Sequence, residues 1–114
     1  MACIFCKIIS GVIPSNKVYE DENVLCFHDL NPQAPVHVLI VPKEHVAKIS
    51  DIDGKNSHCI ARIFEKIPEI AKILGITDDD GFRVVANCGE NAGQSVFHIH
   101  FHLLSGRPLS WPPG

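Results

Sequence analysis

The chain has 114 residues, 46% of them apolar and 20% charged, with a formal net charge of −3. That suits one domain spanning residues 1–114 around one core, with an ordinary soluble, globular balance. No apolar run reaches the roughly 18 residues of a membrane span, "MACIFCK" lacks a secretion signal's basic start and long apolar stretch, and no Lys/Arg cluster offers a nucleic-acid backbone a basic face.

Residues 3–10 mix apolar side chains with Cys and Lys and stop at Gly11. "KVYEDENVLCFHDL" reads as two short strands around an acidic turn at Glu20–Asn23. "NPQAP" is a loop, because Pro32 and Pro35 stiffen the backbone and remove donors. "VHVLIVP" is β-branched and almost continuously apolar, the pattern of a strand covered on both faces, with His37 its one polar member. From residue 57 the period changes. Ile60, Ile63, Phe64, Ile67, Ile70, Ala71 and Leu74 recur at helical spacing, with Ser57 placed to cap the start, Gly75 to stop the end, and Pro68 to kink or split the middle. "FRVVAN" is a strand, "CGENAGQS" a glycine-rich loop, residues 96–104 a further strand, and "GRPLSWPPG" too rich in proline to be regular. Strands, a helix, then strands again give an α+β class with a mainly antiparallel sheet.

Five cysteines, Cys3, Cys6, Cys26, Cys59 and Cys88, are an odd number. With no secretion signal this favours reduced thiols and a cytoplasmic location over a disulfide framework.

"FHIHFHLL" carries the chemistry. A strand sends alternate side chains to opposite faces, so His98, His100 and His102 share one face and Phe97, Ile99, Phe101 and Leu103 the other. The apolar face would bury against the helix stripe and leave the imidazoles lining a cleft. Three readings compete. The first is a half-buried strand whose polar face happens to be rich in histidine. The second is a metal site, although parallel side chains spread over about 13 Å converge poorly on one ion. The third is chemistry on phosphorus, and it is the strongest. An imidazole near its unperturbed pKa of about 6.5 attacks without first losing a proton, while a neighbouring imidazolium donates to phosphoryl oxygens or a leaving group. The middle ring, flanked on both sides, is the best-placed nucleophile. Gly89, Gly93, Gln94 and Ser95, just upstream, offer close backbone approach and small donors to a phosphate.

"QSVFHIHFHLL" resembles the His-x-His-x-His signature of the histidine triad (HIT) superfamily. "IFCKIISGVIPSNKVYEDENVLCFHDLNPQAPVHVLIVPKEH" and the terminal "WPPG" are similar to its Hint branch, so the resemblance covers nearly the whole chain. It implies a five-stranded antiparallel sheet with a main helix and a short helix, joined into a ten-stranded sheet in a homodimer. It implies a purine nucleoside phosphoramidase that breaks the P–N bond of substrates such as AMP-lysine. His100 would form a nucleotidyl-histidine intermediate, His102 would bind the phosphate, and His98 would help orient the site. His37 would complete the relay, and Ser95 would contact the phosphate or the departing nitrogen. Asp29 would accept from the ribose hydroxyls, Asn87 and Gln94 would contact the nucleotide, and Phe5, Ile8, Phe27 and Leu30 would form the base slot. Trp111 would approach the partner subunit's site. The alternatives within the superfamily are a dinucleoside polyphosphate hydrolase or nucleotidyl transferase; outside it, a zinc-containing nucleotide-binding adaptor with little turnover.

The C-x-x-C pair "CIFC" lies outside that chemistry. A thioredoxin-like role needs a βαβ context that is missing, and a zinc needs two further ligands. The resemblance to some bacterial HIT proteins supplies them: a structural zinc held by Cys3, Cys6, His45 of "PKEH" and His98, not required for catalysis, which would fix His98 away from the reaction. Cys26, Cys59 and Cys88 are read as small buried hydrophobes, and His28 and His58 as solvated surface.

Overall fold

The computed structural model describes residues 3–114. Its elements in chain order are α1 (Ile4–Ile9), β1 (Lys17–Glu20), β2 (Val24–His28), β3 (Val36–Pro42), α2 (Ser57–Ile73), β4 (Arg83–Val85) and β5 (Phe101–Ser105), with single 3₁₀ turns at Ile49–Asp51 and Glu90–Ala92. The strands form one five-stranded sheet in the order β1-β2-β3-β5-β4, every pairing antiparallel. The expected α+β architecture, with one main helix and one short one, is what the chain adopts.

The acidic turn closes as the sequence suggests. Asp21 Oδ1 accepts from the N–H groups of Asn23 and Val24, at 2.7 and 2.8 Å, so the carboxylate serves the donors that the turn leaves bare. The apolar run of β3 occupies the centre of the sheet and is buried on both sides. One face carries Val24, Cys26, Val38, Ile40, Phe101 and Leu103 against Cys59, Ile63, Ile67 and Ile70 of α2. The opposite face carries Leu25, Phe27, Leu39 and Val41 against Phe5 and Ile8 of α1. The two layers differ greatly in extent: the 17-residue α2 covers one face, and the six-residue α1 covers part of the other. The uncovered remainder is where a cleft opens.

Four local expectations change. Pro68 does not split the helix, which is continuous over Ser57–Ile73. Pro68 lies on its exposed side, where water serves the Phe64 carbonyl that the missing N–H leaves free. The cap is Asn56, one residue before Ser57. Its side chain braces the incoming turn, accepting from Asp53 N–H and donating to the Asp51 carbonyl. The strand expected over 96–104 is regular only from Phe101 to Ser105, and that over 82–87 only from Arg83 to Val85. Finally, Phe97 leaves the apolar face and is half exposed, because the chain before Phe101 departs from the sheet; Ile99 N–H is held instead by the Val46 carbonyl at 2.7 Å.

Candidate active site

The alternation of the histidines survives that departure. Ile99, Phe101 and Leu103 face α2, and the three imidazoles face the side of α1. His102 pairs with Leu39 across β5 and β3, so it shares a face with Leu39 and with His37, two residues earlier. The result is a set of rings whose protons are dictated by their neighbours.

Gln33 N–H donates to Nδ1 of His37 at 3.0 Å. A backbone N–H cannot accept, so the His37 proton sits on Nε2. That nitrogen lies 2.9 Å from Nδ1 of His102, which therefore accepts, and the His102 proton is on Nε2. Burial, with His100 and His37 alongside, pushes the pKa of His102 down to about 4. Burial also lowers that of His37, against the pull of Asp29. Both rings are neutral near pH 7, where the sequence suggested a standing imidazolium. Asp29 Oδ2 is 3.4 Å from His37 Nε2, a contact with a neutral ring, since the shorter bond to His102 takes the proton. His100 is held from behind: its Nδ1 faces the His98 carbonyl at 2.8 Å. A carbonyl only accepts, so Nδ1 donates and Nε2 keeps a bare lone pair. The His100 and His102 rings are 5.1 Å apart.

These two rings help line a cleft of about 290 Å³. Phe5, Ile8, Phe27, Asp29, Leu30 and Ser95, all expected at a nucleotide site, line it. Phe5, Ile8 and Phe27 are buried walls, whereas Leu30 is fully exposed at the rim. Asp29 Oδ1 is already bound to Asn31 N–H. The remaining expected residues lie elsewhere. Asn87 lines a neighbouring cavity of about 280 Å³ that includes His37 and shares His102 with the cleft. Gln94 turns inward: its amide donates to the Ala47 and Val96 carbonyls and its oxygen accepts from Gly89 N–H. It shapes the loop between Gly89 and Gly93, whose positive φ values of 92° and 95° suit glycine alone. Trp111 is largely exposed, with the Arg83 guanidinium 5.8 Å from its ring centre.

His28, read from the sequence as solvated surface, is partly buried in the cleft wall, and so is Ser15, which the sequence did not single out. The Ser15 hydroxyl is buried and unpartnered among the described residues. A serine in a short loop carries no pattern that singles it out. Cys26 and Cys59 are buried as expected, but Cys88 is not: it is half-buried beside Ser50, whose hydrogen bonds hold its thiol below the ordinary range. His58 is exposed, next to Glu44.

The second cluster sits on the other side of Phe5. Cys3, Cys6, His45 and His98 bring four donor atoms within 4.8 Å of one another. His98 Nε2 donates to the Pro42 carbonyl at 2.8 Å, which turns the lone pair of Nδ1 toward the cluster. That Nδ1 lies 3.5 Å from Cys3 Sγ, 3.7 Å from Cys6 Sγ and 3.0 Å from His45 Nδ1. A tetrahedral zinc with bonds of about 2.3 Å to sulfur and about 2.05 Å to nitrogen separates such ligands by roughly 3.3–3.8 Å. Burial and Cys3 raise the pKa of the Cys6 thiol, so thiolates here need a cation between them. The residues fit the metal in number and donor type; the sulfur–nitrogen separations match that spacing, the two histidine nitrogens stand slightly closer than it, and the Pro42 carbonyl supplies the outer bond that ligating histidines usually make.

Residues 10–109 match the HIT domain family. The chain belongs to that family. A HIT family hydrolase from Legionella pneumophila superposes with a TM-score of 0.94 at 46% identity, covering 99% of this chain and 100% of that one. A histidine triad nucleotide-binding protein from Candida albicans superposes at 0.82 with 38% identity, over 97% and 83%. A 14 kDa zinc-binding protein of Zea mays is 46% identical over 97% of this chain and 87% of its own. No helix among the described residues of this HIT protein is long and apolar enough to cross a membrane.

Proposed function

We propose that this HIT protein is a purine nucleoside phosphoramidase that acts through a nucleotidyl-histidine. The observation carrying this reading is the pair of neighbouring rings in the cleft lining whose Nδ1 partners leave their Nε2 atoms in complementary proton states. His100 offers an Nε2 lone pair because its Nδ1 proton is given to the His98 carbonyl. His102 offers an Nε2–H because its Nδ1 accepts from His37. One attacks phosphorus; the other donates to a non-bridging oxygen where charge accumulates.

The chemistry follows from those protons. His100 Nε2 bonds to phosphorus as the P–N bond breaks, and the nitrogen, having taken a proton from solvent, departs as the amine. The substituted ring is cationic, and its Nδ1–H bond to a carbonyl strengthens with that charge, steadying the intermediate without any proton having to leave. Water then attacks phosphorus, the P–Nε2 bond breaks, the proton shed by the water returns to solvent, and the nucleotide is released from a regenerated neutral His100. Ser95, exposed in the lining of the same cleft, is suited to contact the departing nitrogen. The aromatic and aliphatic wall of Phe5, Ile8 and Phe27 suits a purine, and Asp29 a ribose diol. A bound zinc would be structural on this reading: Cys3, Cys6, His45 and His98 would hold it, and it would pin α1 to the sheet. The homodimer belongs to the same reading. It is supported by the exposed Trp111, available to a partner's cleft, and by the short edge strand β4, available to extend the sheet. Cytoplasmic residence accords with the reduced thiols.

The decisive experiment is to trap labelled nucleotide during turnover of AMP-lysine and map the residue that carries it. Label on His100 supports the reading, and label on any other side chain defeats it. Parallel rates with diadenosine polyphosphate separate the phosphoramidase from the polyphosphate hydrolase, which would use the same intermediate with a different leaving group.

A further inference from the structure

Phe5 stands between the two clusters and belongs physically to both. In sequence it lies between Cys3 and Cys6. Its ring packs edge-on against His98 at 6.0 Å, His100 at 5.0 Å and Phe27 at 5.7 Å. The helix that carries it has six residues. A helix that short has no stability of its own in water and stands only where tertiary contacts hold it. Two sets of contacts do so here: the apolar packing of Phe5 and Ile8 on the sheet, and the convergence of Cys3, the N-cap, and Cys6 on His45 and His98. A metal in the second set would tie residue 3 to residue 98 and close a very long loop around this one turn.

We propose that Phe5 links the two sites, so that a metal in the Cys3/Cys6/His45/His98 cluster tightens nucleotide binding and nucleotide tightens metal binding. The inference rests on the reading of the cleft as a nucleotide site. With the metal held, α1 is fixed and its inner side presents Phe5 and Ile8 as a ready-made wall for the base. With the metal gone, the turn has only its apolar side to hold it, and a nucleotide must order that wall as it binds. The cost of ordering appears as weaker affinity. A second connection runs along the chain: His98 is a donor of the cluster, and its carbonyl fixes the Nδ1 proton of His100. The coupling is reciprocal, as any equilibrium linkage between two binding events must be.

The test uses AMP and zinc as probes, with affinity as the readout. Calorimetric titration of AMP into the zinc-loaded protein and into the chelated protein should give dissociation constants differing about tenfold, inside the usual range for linked sites. Zinc affinity measured with saturating AMP should rise by the same factor. In Phe5→Ala, which keeps all four donors, AMP affinity should become insensitive to zinc. Equal AMP affinity in the two wild-type states overturns the coupling alone; no AMP binding in either state overturns the nucleotide reading beneath it. Should the chelated protein unfold, cobalt in place of zinc keeps the test open. AMP should then shift the visible absorption of the metal in the wild type and leave it unmoved in Phe5→Ala, and an unmoved wild-type spectrum counts against the proposal.

Discussion

The two ends of the histidine face use the same side chain for opposite purposes, and what differs is the group behind each ring. At the end nearest α1, His98 gives its Nε2 proton to the Pro42 carbonyl and so turns a bare Nδ1 toward two thiols and His45. At the other end, His102 accepts at Nδ1 from His37 and presents a proton at Nε2. His100, between them, donates at Nδ1 to a carbonyl and presents a lone pair at Nε2. One residue type thereby presents a bare Nδ1, an Nε2–H and a bare Nε2 within five positions. A carbonyl or an N–H at the back of the ring selects the role, because a neutral imidazole has one proton to place.

Removing the lone pair from the middle ring is the harshest way to break this comparison. His100→Ala should lower AMP release from AMP-lysine by roughly a thousandfold or more, the scale on which covalent catalysis fails without its nucleophile. Circular dichroism and zinc content should stay as in the wild type; substantial residual turnover would rule the assignment out. At the opposite end, Cys6→Ala should abolish stoichiometric zinc after dialysis and destabilise the fold by at least about 2 kcal/mol, or roughly 8 °C in Tm, because a clip closing a long loop is lost. A wild-type melting curve indifferent to chelator would refute the structural role. His37→Ala attacks the backing of His102: with no donor at its Nδ1, the ring is free to place its proton there and point a lone pair at the phosphate. A fall in kcat of roughly a hundredfold is expected, within the range for lost acid–base positioning.

The acidic side of the pH range gives a milder test. His102 titrates at about 4 in the folded protein and near 6.5 when unfolded. Between those values the unfolded chain binds more protons, so stability must rise with pH. The contribution is complete above about pH 6.5 and is lost progressively as pH falls toward 4. His37, lowered in the same direction, adds to the same slope. Thermal melts between pH 7 and 4.5 should therefore lose several degrees in the wild type and distinctly fewer in His102→Gln. Parallel slopes in the two proteins would mean that neutral burial of this ring is not the cause.

Much of this layout was legible from the sequence because it is written in period. The helical stripe from Ile60 to Leu74 and the alternation from His98 to Leu103 needed only the geometry of the two backbone forms. What escaped was whatever depends on a neighbour distant in the chain. Nothing near Gln94 reveals that its amide will bond the carbonyl of Ala47, and nothing near Phe97 reveals that the chain will leave the sheet to meet Val46. The resemblance placed His37 in the relay, but nothing near His102 reveals how far its ring will be buried, which is the main reason it stays neutral. Pro68 misled for a related reason. A proline's effect on a helix depends on which side the freed carbonyl faces, and only the packed structure fixes that.

Asp29 carries the smallest effect and the sharpest test of the nucleotide reading. Its carboxylate already serves two neighbours, bonding Asn31 N–H through Oδ1 at 2.8 Å and approaching His37 through Oδ2 at 3.4 Å. Only its remaining lone pairs are free for a sugar, and a partly buried carboxylate that already has partners gains modestly from one more donor, on the order of 1 kcal/mol. Asp29→Ala should therefore cost about fivefold in kcat/KM with an adenosine substrate and almost nothing with the 2′,3′-dideoxy analogue, because the variant lacks only what the hydroxyls supplied. Equal losses on both substrates would mean that the residue acts through the loop or through His37 and never touches the sugar. The comparison isolates the contact because the dideoxy analogue keeps the phosphate, the amine and the base, leaving the histidine chemistry constant on both sides of the ratio.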